Sequence, residues 1–289
     1  PPPPPRDSIR RQRQMCIRDS LPVVLKSSYP QHLTGQVRQN QGPPPDPATE
    51  IMAAMTTLLL LPGLDGTGLV FEPLLKRLPE TIDPVIVRYP GDKPMTFQEH
   101  VDFARARLPD DKPFILLAES FSGPIGLQLL ADPPANLVGV IFVATFERYP
   151  KPFLLDMARI LPQGPLLKLF ATNLFCRFFC LGSADRKDVA LFQKALTSVK
   201  LSAMSQRLKI LAELPPPPET NYNGPCLYLQ ASQDRLVPER AAARLQRHLP
   251  RTQLVQIPGP HIILLARPEA GARAISKFID SLSEQACTS

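Results

Sequence analysis

Ser120, Asp234 and His261 are the residues whose types and order in this chain could carry out nucleophilic catalysis. A serine hydroxyl attacks poorly until an imidazole takes its proton. The imidazole in turn needs a carboxylate to fix its tautomer and to stabilise its charged form. Ser120 closes the apolar run PFILLA in the stretch AESFSG, Asp234 follows CLYLQ in ASQDRLVP, and His261 follows QLVQI in IPGPHIILL. Ser120 stands among small residues where an apolar strand gives way to a helix. The N-terminus of that helix offers unpaired N–H groups and partial positive charge where an oxyanion would form. Taken alone, the same serine could simply cap the helix; an acid and a base after two later strands tip the balance towards a nucleophile.

Those three residues need a sheet to bring them together, and the apolar pattern supplies one. Short buried runs at 56–61, 84–89, 113–118, 137–143, 226–230 and 253–257 read as strands. Helical segments fall between them: 69–78, with Pro73 near its first turn, the segment after Thr96, 124–130 and 239–248, with a closing helix at 267–284. Thr96 with Glu99 three residues on has the capping-box pattern. Alternation of strand and helix at this spacing predicts an α/β fold with a doubly wound, mostly parallel sheet. The rhythm breaks near Phe146. Residues 147–213 hold helical, apolar-rich segments (FLLDMARIL, LLKLFATNLFCRFFCL and LFQKALTSVKLSAMSQRLKIL) and are expected to form a helical cap over the carboxyl ends of the strands. The core is then 55–146 and 214–285. Residues 1–54 open with five prolines and show no sustained period, as expected of a disordered basic arm or of an artefactual extension.

Composition excludes several classes. With 289 residues, 44% hydrophobic and 20% charged, the chain can bury a full core. The net charge of +7 includes seven Lys and Arg against four acids in residues 1–54, and the remaining charges are scattered without a basic stripe. No nucleic-acid partner is therefore expected. The five cysteines have no metal-ligand spacing, and Cys176 and Cys180 lie among Phe and Leu as buried free thiols would. No metal site, no stable membrane insertion and a cytoplasmic setting are expected; no feature specifies an oligomeric state.

Four motifs in order, LLLLPGLDGTG, AESFSG, QDRLVP and GPHIILLARPEA, resemble the α/β-hydrolase superfamily, in its small serine esterase/lipase/thioesterase group. The similarity covers about residues 56–284. It implies Ser120 as nucleophile, Asp234 as acid and His261 as base, in the Ser…acid…His order of that fold. It also implies an oxyanion hole made by the backbone N–H groups of Leu64 and Phe121, no cofactor, and a small ester or thioester substrate. Two features depart from the family pattern. The elbow reads Ala-Glu-Ser-Phe-Ser where Gly-x-Ser-x-Gly is usual, and no strand hairpin is evident before Thr56, so the sheet is expected to lack that N-terminal pair.

Other residues compete for roles. Glu147, just after the fourth strand, could be the acid instead of Asp234. His248 ends a helix before Pro250 and is expected at the surface beside the helix dipole; His100 sits in a polar helix. Asp65 and Glu119 are not needed by the mechanism. The glycine-rich loop 62–68 lacks the Lys-Ser/Thr of a P-loop. The apolar residues of the insert, Leu154 to Phe179, could either glue the cap down or line a pocket for a lipophilic acyl group.

Overall fold

Leu58, Leu59, Leu60 and Leu61 follow one another without a polar interruption, and such a strand is stable only with both faces covered. In the computed structural model, which describes residues 56–149, 172–182 and 184–286, all four are fully buried. They lie in β1 (Thr56–Leu61) of a six-stranded sheet. The other strands are β2 (Ile82–Ile86), β3 (Phe114–Glu119), β4 (Leu137–Val143), β5 (Cys226–Ala231) and β6 (Thr252–Ile257). Their order is β2-β1-β3-β4-β5-β6, and every pairing is parallel. Strand order reverses between β1 and β3, where an open parallel sheet forms its crevice.

Successive strand residues feed two separate cores. Leu59, Leu61, Leu116 and Ala118 join Val101 and Ala104 of α2 (Phe97–Arg105), Ile125 of α3 (Ser122–Leu129) and Leu245 of α6 (Arg240–His248). Leu58, Leu60, Ile115 and Leu117 join Leu74 of α1 (Glu72–Leu75), Ile263 of α7 (Ile263–Ala266) and Phe278 of α8 (Pro268–Ala286). The sheet is thus doubly wound, as the sequence pattern predicts.

Boundaries differ from expectation where prolines and site contacts intervene. The helix expected over 69–78 is a 3₁₀ turn, Leu69–Phe71, followed by the short α1. Its last N–H groups tighten onto Leu74 O before Pro79, which disfavours helical backbone in the residue preceding it. β2 starts and ends earlier than expected. It occupies a sheet edge among the described strands, which tolerates Pro84, and by Tyr89 the chain has turned so that this residue's N–H donates to Gly66 O at 2.9 Å.

The described part of the insert is helical: Asn173–Phe175 runs into a wider turn, Cys176–Leu181, and two helices follow, α4 (Arg186–Thr197) and α5 (Leu201–Ala212). The last two were expected as one segment. Residues 150–171, with FLLDMARIL and part of the next segment, and the N-terminal arm lie outside the described residues. Cys176, Cys180 and Leu181 pack with Val70, Ile262 and Leu265 of the core, whereas Leu174 and Phe178 are exposed. Among the described residues no helix is long and apolar enough to cross a membrane, and no group of acidic, His or Cys side chains could hold a metal ion.

The capping box forms as expected: Glu99 N–H donates to Thr96 Oγ1 at 3.2 Å and Thr96 N–H to Glu99 Oε2 at 2.6 Å. Thr96→Ala should lower stability by about 1 kcal/mol, read as a melting temperature lower by roughly 2–4 °C, with activity unchanged.

Candidate active site

In a parallel sheet the carboxyl ends of all strands lie along one edge, so residues just after β1, β3, β4, β5 and β6 become neighbours whatever their distance in sequence. Ser120 follows β3 directly. Its φ of 47° is left-handed, a conformation that bulky residues avoid and that must be imposed by surroundings. Those surroundings are visible. Ser120 N–H donates to Val143 O at 2.9 Å, and Ser120 O accepts from Gly123 N–H at 3.1 Å and from Thr145 Oγ1 at 2.5 Å. Thr145 is itself gripped by Tyr228, whose hydroxyl donates to Thr145 O at 2.6 Å and accepts from Thr145 N–H at 3.2 Å.

The helix after Ser120 packs closely at two glycines. A Cβ on Gly123 would stand 1.9 Å from Thr145 Oγ1, and one on Gly126 would stand 3.2 Å from Ala118 Cβ. Gly123 and Gly126 thus let α3 lie close against Thr145 and against Ala118 and Phe142. Ser122, where the pattern has glycine, gains a role: its hydroxyl donates to Pro62 O at 2.5 Å and lies 2.9 Å from the Tyr89 hydroxyl.

Ser120 Oγ lies 2.9 Å from His261 Nε2, and His261 Nδ1 lies 2.7 Å from Asp234 Oδ2. The other Asp234 oxygen accepts from the N–H groups of Leu236 and Val237, each at 2.8 Å. A carboxylate held this way keeps Nδ1 protonated and leaves Nε2 to face the serine. Burial alone would lower the His261 pKa, but the charge and hydrogen bond of Asp234 outweigh it and raise the pKa above 6.5.

Glu147, the competing acid, is held elsewhere, with its Oε2 2.6 Å from His248 Nε2. His248 does end α6, as expected, but it is half-buried and bound to a carboxylate rather than only beside the helix dipole. His100 departs from its polar helix context. It is 1% exposed, edge-on to Tyr89 and Phe121, and burial pushes its pKa down to about 4.

The loop after β1 closes the site from the other side. A Cβ on Gly63 would stand 3.8 Å from Ser120 Cβ, so residues 62–64 lie against the elbow. Neither the Leu64 N–H nor the Phe121 N–H donates to a described backbone acceptor. Asp65 is buried and accepts from the N–H and hydroxyl of Thr67, shaping the turn.

A sequence model described as the alpha/beta hydrolase family matches residues 58–274. The chain belongs to the alpha/beta hydrolase family. Among solved members of the fold, a thermophilic esterase from Thermogutta terrifontis is 16% identical with a TM-score of 0.63, covering 80% of this chain and 92% of that one. MenH from S. aureus is 15% identical with a TM-score of 0.65, covering 79% and 95%. Among curated proteins, a 162-residue stretch, 53% of this chain, is 28% identical to chloroplastic phytyl ester synthase 1 of Arabidopsis thaliana; this spans 22% of that relative's length.

One residue that sequence analysis set aside is unusual. Glu119, adjacent to Ser120, is 1% exposed, and neither oxygen meets a described donor in hydrogen-bond geometry. Burial pushes its pKa up to about 8 and the Asp65 charge adds to this, against the pull of His261 and the Gly63 N–H. A carboxyl whose pKa is raised by folding stabilises the fold fully below its unfolded value near 4.5, and this contribution is lost as pH rises through about 8. Glu119→Gln cannot ionise. Its melting temperature should therefore gain on the wild type between pH 5 and pH 9; a difference that stays constant across that range would contradict the buried, neutral carboxyl.

Proposed function

We propose that the protein is a serine hydrolase that cleaves carboxylic esters or thioesters through an acyl-enzyme. Ser120 Oγ bonds to the carbonyl carbon while its proton passes to His261 Nε2. The C–O or C–S bond then breaks and the leaving alcohol or thiol takes that proton. Water attacks the acyl-enzyme with its proton moving to His261, and Ser120 recovers a proton as the acid departs. Asp234 orients His261, and the Leu64 and Phe121 N–H groups hold the oxyanion. No cofactor enters the steps. The observation that carries the proposal is the unbroken contact series from Ser120 Oγ through His261 to Asp234, at 2.9 and 2.7 Å.

Ser120→Ala and His261→Ala should each lower kcat by about a millionfold, and Asp234→Asn by roughly ten-thousandfold. Glu147→Gln and His248→Ala should leave it nearly unchanged; a Glu147 variant more damaging than Asp234→Asn would reassign the acid. His261 works as a base only when neutral, so kcat/KM should rise with pH through a midpoint above 6.5.

A lipophilic acyl group is the proposed substrate class, resting on the apolar content of the insert and on the likeness to a protein named for phytyl ester synthesis. Each methylene buried in such a pocket contributes about 0.8 kcal/mol, so kcat/KM should rise about fourfold per CH₂ from p-nitrophenyl acetate to the octanoate. A steady fall along that series would overturn the lipophilic assignment. The same relative favours a second reading, transfer of the acyl group to an alcohol in place of water. Supplying a long-chain alcohol with the ester and weighing new ester against free acid decides between the two.

A further inference from the structure

From the oxyanion assignment just proposed, on which this inference rests, we infer that Arg207 is a positioning residue for the oxyanion hole. It lies on α5, within the helical block between β4 and β5, yet it is 1% exposed and its guanidinium reaches the loop after β1. Nη1 donates to Leu64 O at 3.1 Å and to Asp65 O at 2.5 Å, and Nη2 donates to Pro90 O at 2.9 Å. No carboxylate lies within ion-pair distance among the described residues; the charge is met by carbonyl dipoles, and burial lowers the guanidinium pKa against the opposing pull of the Asp65 charge. Burying a cation without a paired anion is expensive, and two of the three carbonyls this one grips belong to the loop that carries the Leu64 N–H.

From Pro62 to Gly66 that loop is held at every carbonyl. Pro62 O accepts from Ser122 Oγ at 2.5 Å, Gly63 O from Gly66 N–H at 3.0 Å, and Gly66 O from Tyr89 N–H at 2.9 Å. Arg207 supplies the two that remain, Leu64 O and Asp65 O. With it in place, the peptide planes on both sides of Leu64 are fixed. Without it, the plane between Leu64 and Asp65, at the centre of the turn that Gly66 N–H closes onto Gly63 O, is free to rotate; that turn then loosens, and with it the Gly63–Leu64 plane that aims the Leu64 N–H. The planar fork of an arginine spans three carbonyls at once, which the single ammonium of a lysine does not. Gly66 fits the same device: its φ is 70°, and a Cβ there would stand 2.6 Å from Arg207 Nη1.

A group that only glued the insert to the core would change stability, and substrate affinity if anything. A group that positions an oxyanion donor changes what is bound in the tetrahedral state. The test uses the full chain, p-nitrophenyl butyrate, an alkyl trifluoromethyl ketone, which adds the serine to form a tetrahedral oxyanion, and the matching methyl ketone, which stays trigonal. Arg207→Lys should lower kcat about a hundredfold with KM within about threefold. It should weaken the trifluoromethyl ketone by a similar factor and the methyl ketone by less than about threefold. A folded Arg207→Lys with wild-type kcat, or with both ketones weakened equally, overturns the inference. Should that variant not fold, Gly66→Ala, whose methyl displaces the fork, carries the same expectation and the same refutation. Failure of the underlying reading looks different: a fluorophosphonate that does not label Ser120 in the wild type removes the nucleophile itself, whereas labelling with unaltered Arg207→Lys kinetics removes only the role of Arg207.

Discussion

A serine at φ 47° is held where its backbone would not rest by choice, at a cost on the order of 1–3 kcal/mol. Much of the surrounding chain can be understood as what makes that conformation the only one available. Val143 O and Gly123 N–H bind the Ser120 peptide groups, Thr145 binds its carbonyl, and Tyr228 locks Thr145 at both its N–H and its carbonyl. These residues come from β4, β5 and α3, so the elbow is braced by the same packing that stabilises the core. The hydroxyl that results is fixed relative to strands β5 and β6, whose loops deliver Asp234 and His261.

The charges around the elbow are arranged with similar economy. Asp234 has its two oxygens shared between His261 and the N–H groups of the following turn. Neither Glu119 oxygen meets a described donor in hydrogen-bond geometry, and burial, reinforced by the Asp65 charge, pushes its pKa up to about 8. Arg207 adds a buried cation that is spread over carbonyl dipoles, on the loop that faces Ser120 across the site.

The strands, and the meeting of Ser120, Asp234 and His261, were legible in the sequence because a parallel sheet buried on both faces writes itself as continuous apolar runs, and residues just after the ends of those runs come together along one edge. What was not legible depends on contacts between segments distant in sequence. Glu147 looks like a possible acid until His248, on another element, is found bound to it. Arg207 stands among Gln, Leu and Lys on an amphipathic helix, where an arginine is ordinarily solvated; only the fold shows that it points inward. His100 is buried for the same reason, because the face of α2 that carries it packs on Tyr89 and Phe121. The Ala-Glu-Ser-Phe-Ser elbow departs from its usual pattern, and close backbone approach occurs at Gly123 against Thr145 and at Gly126 against Ala118.

The account stands on Ser120 carrying the acyl group, and mass spectrometry of the protein quenched during turnover of a chromogenic ester measures this directly. The expected result is an intact-mass increase equal to the acyl group minus one hydrogen, mapped to the peptide containing Ser120, and absent from Ser120→Ala. Turnover in the wild type with the acyl adduct on another residue, or an undiminished rate in Ser120→Ala, would contradict it.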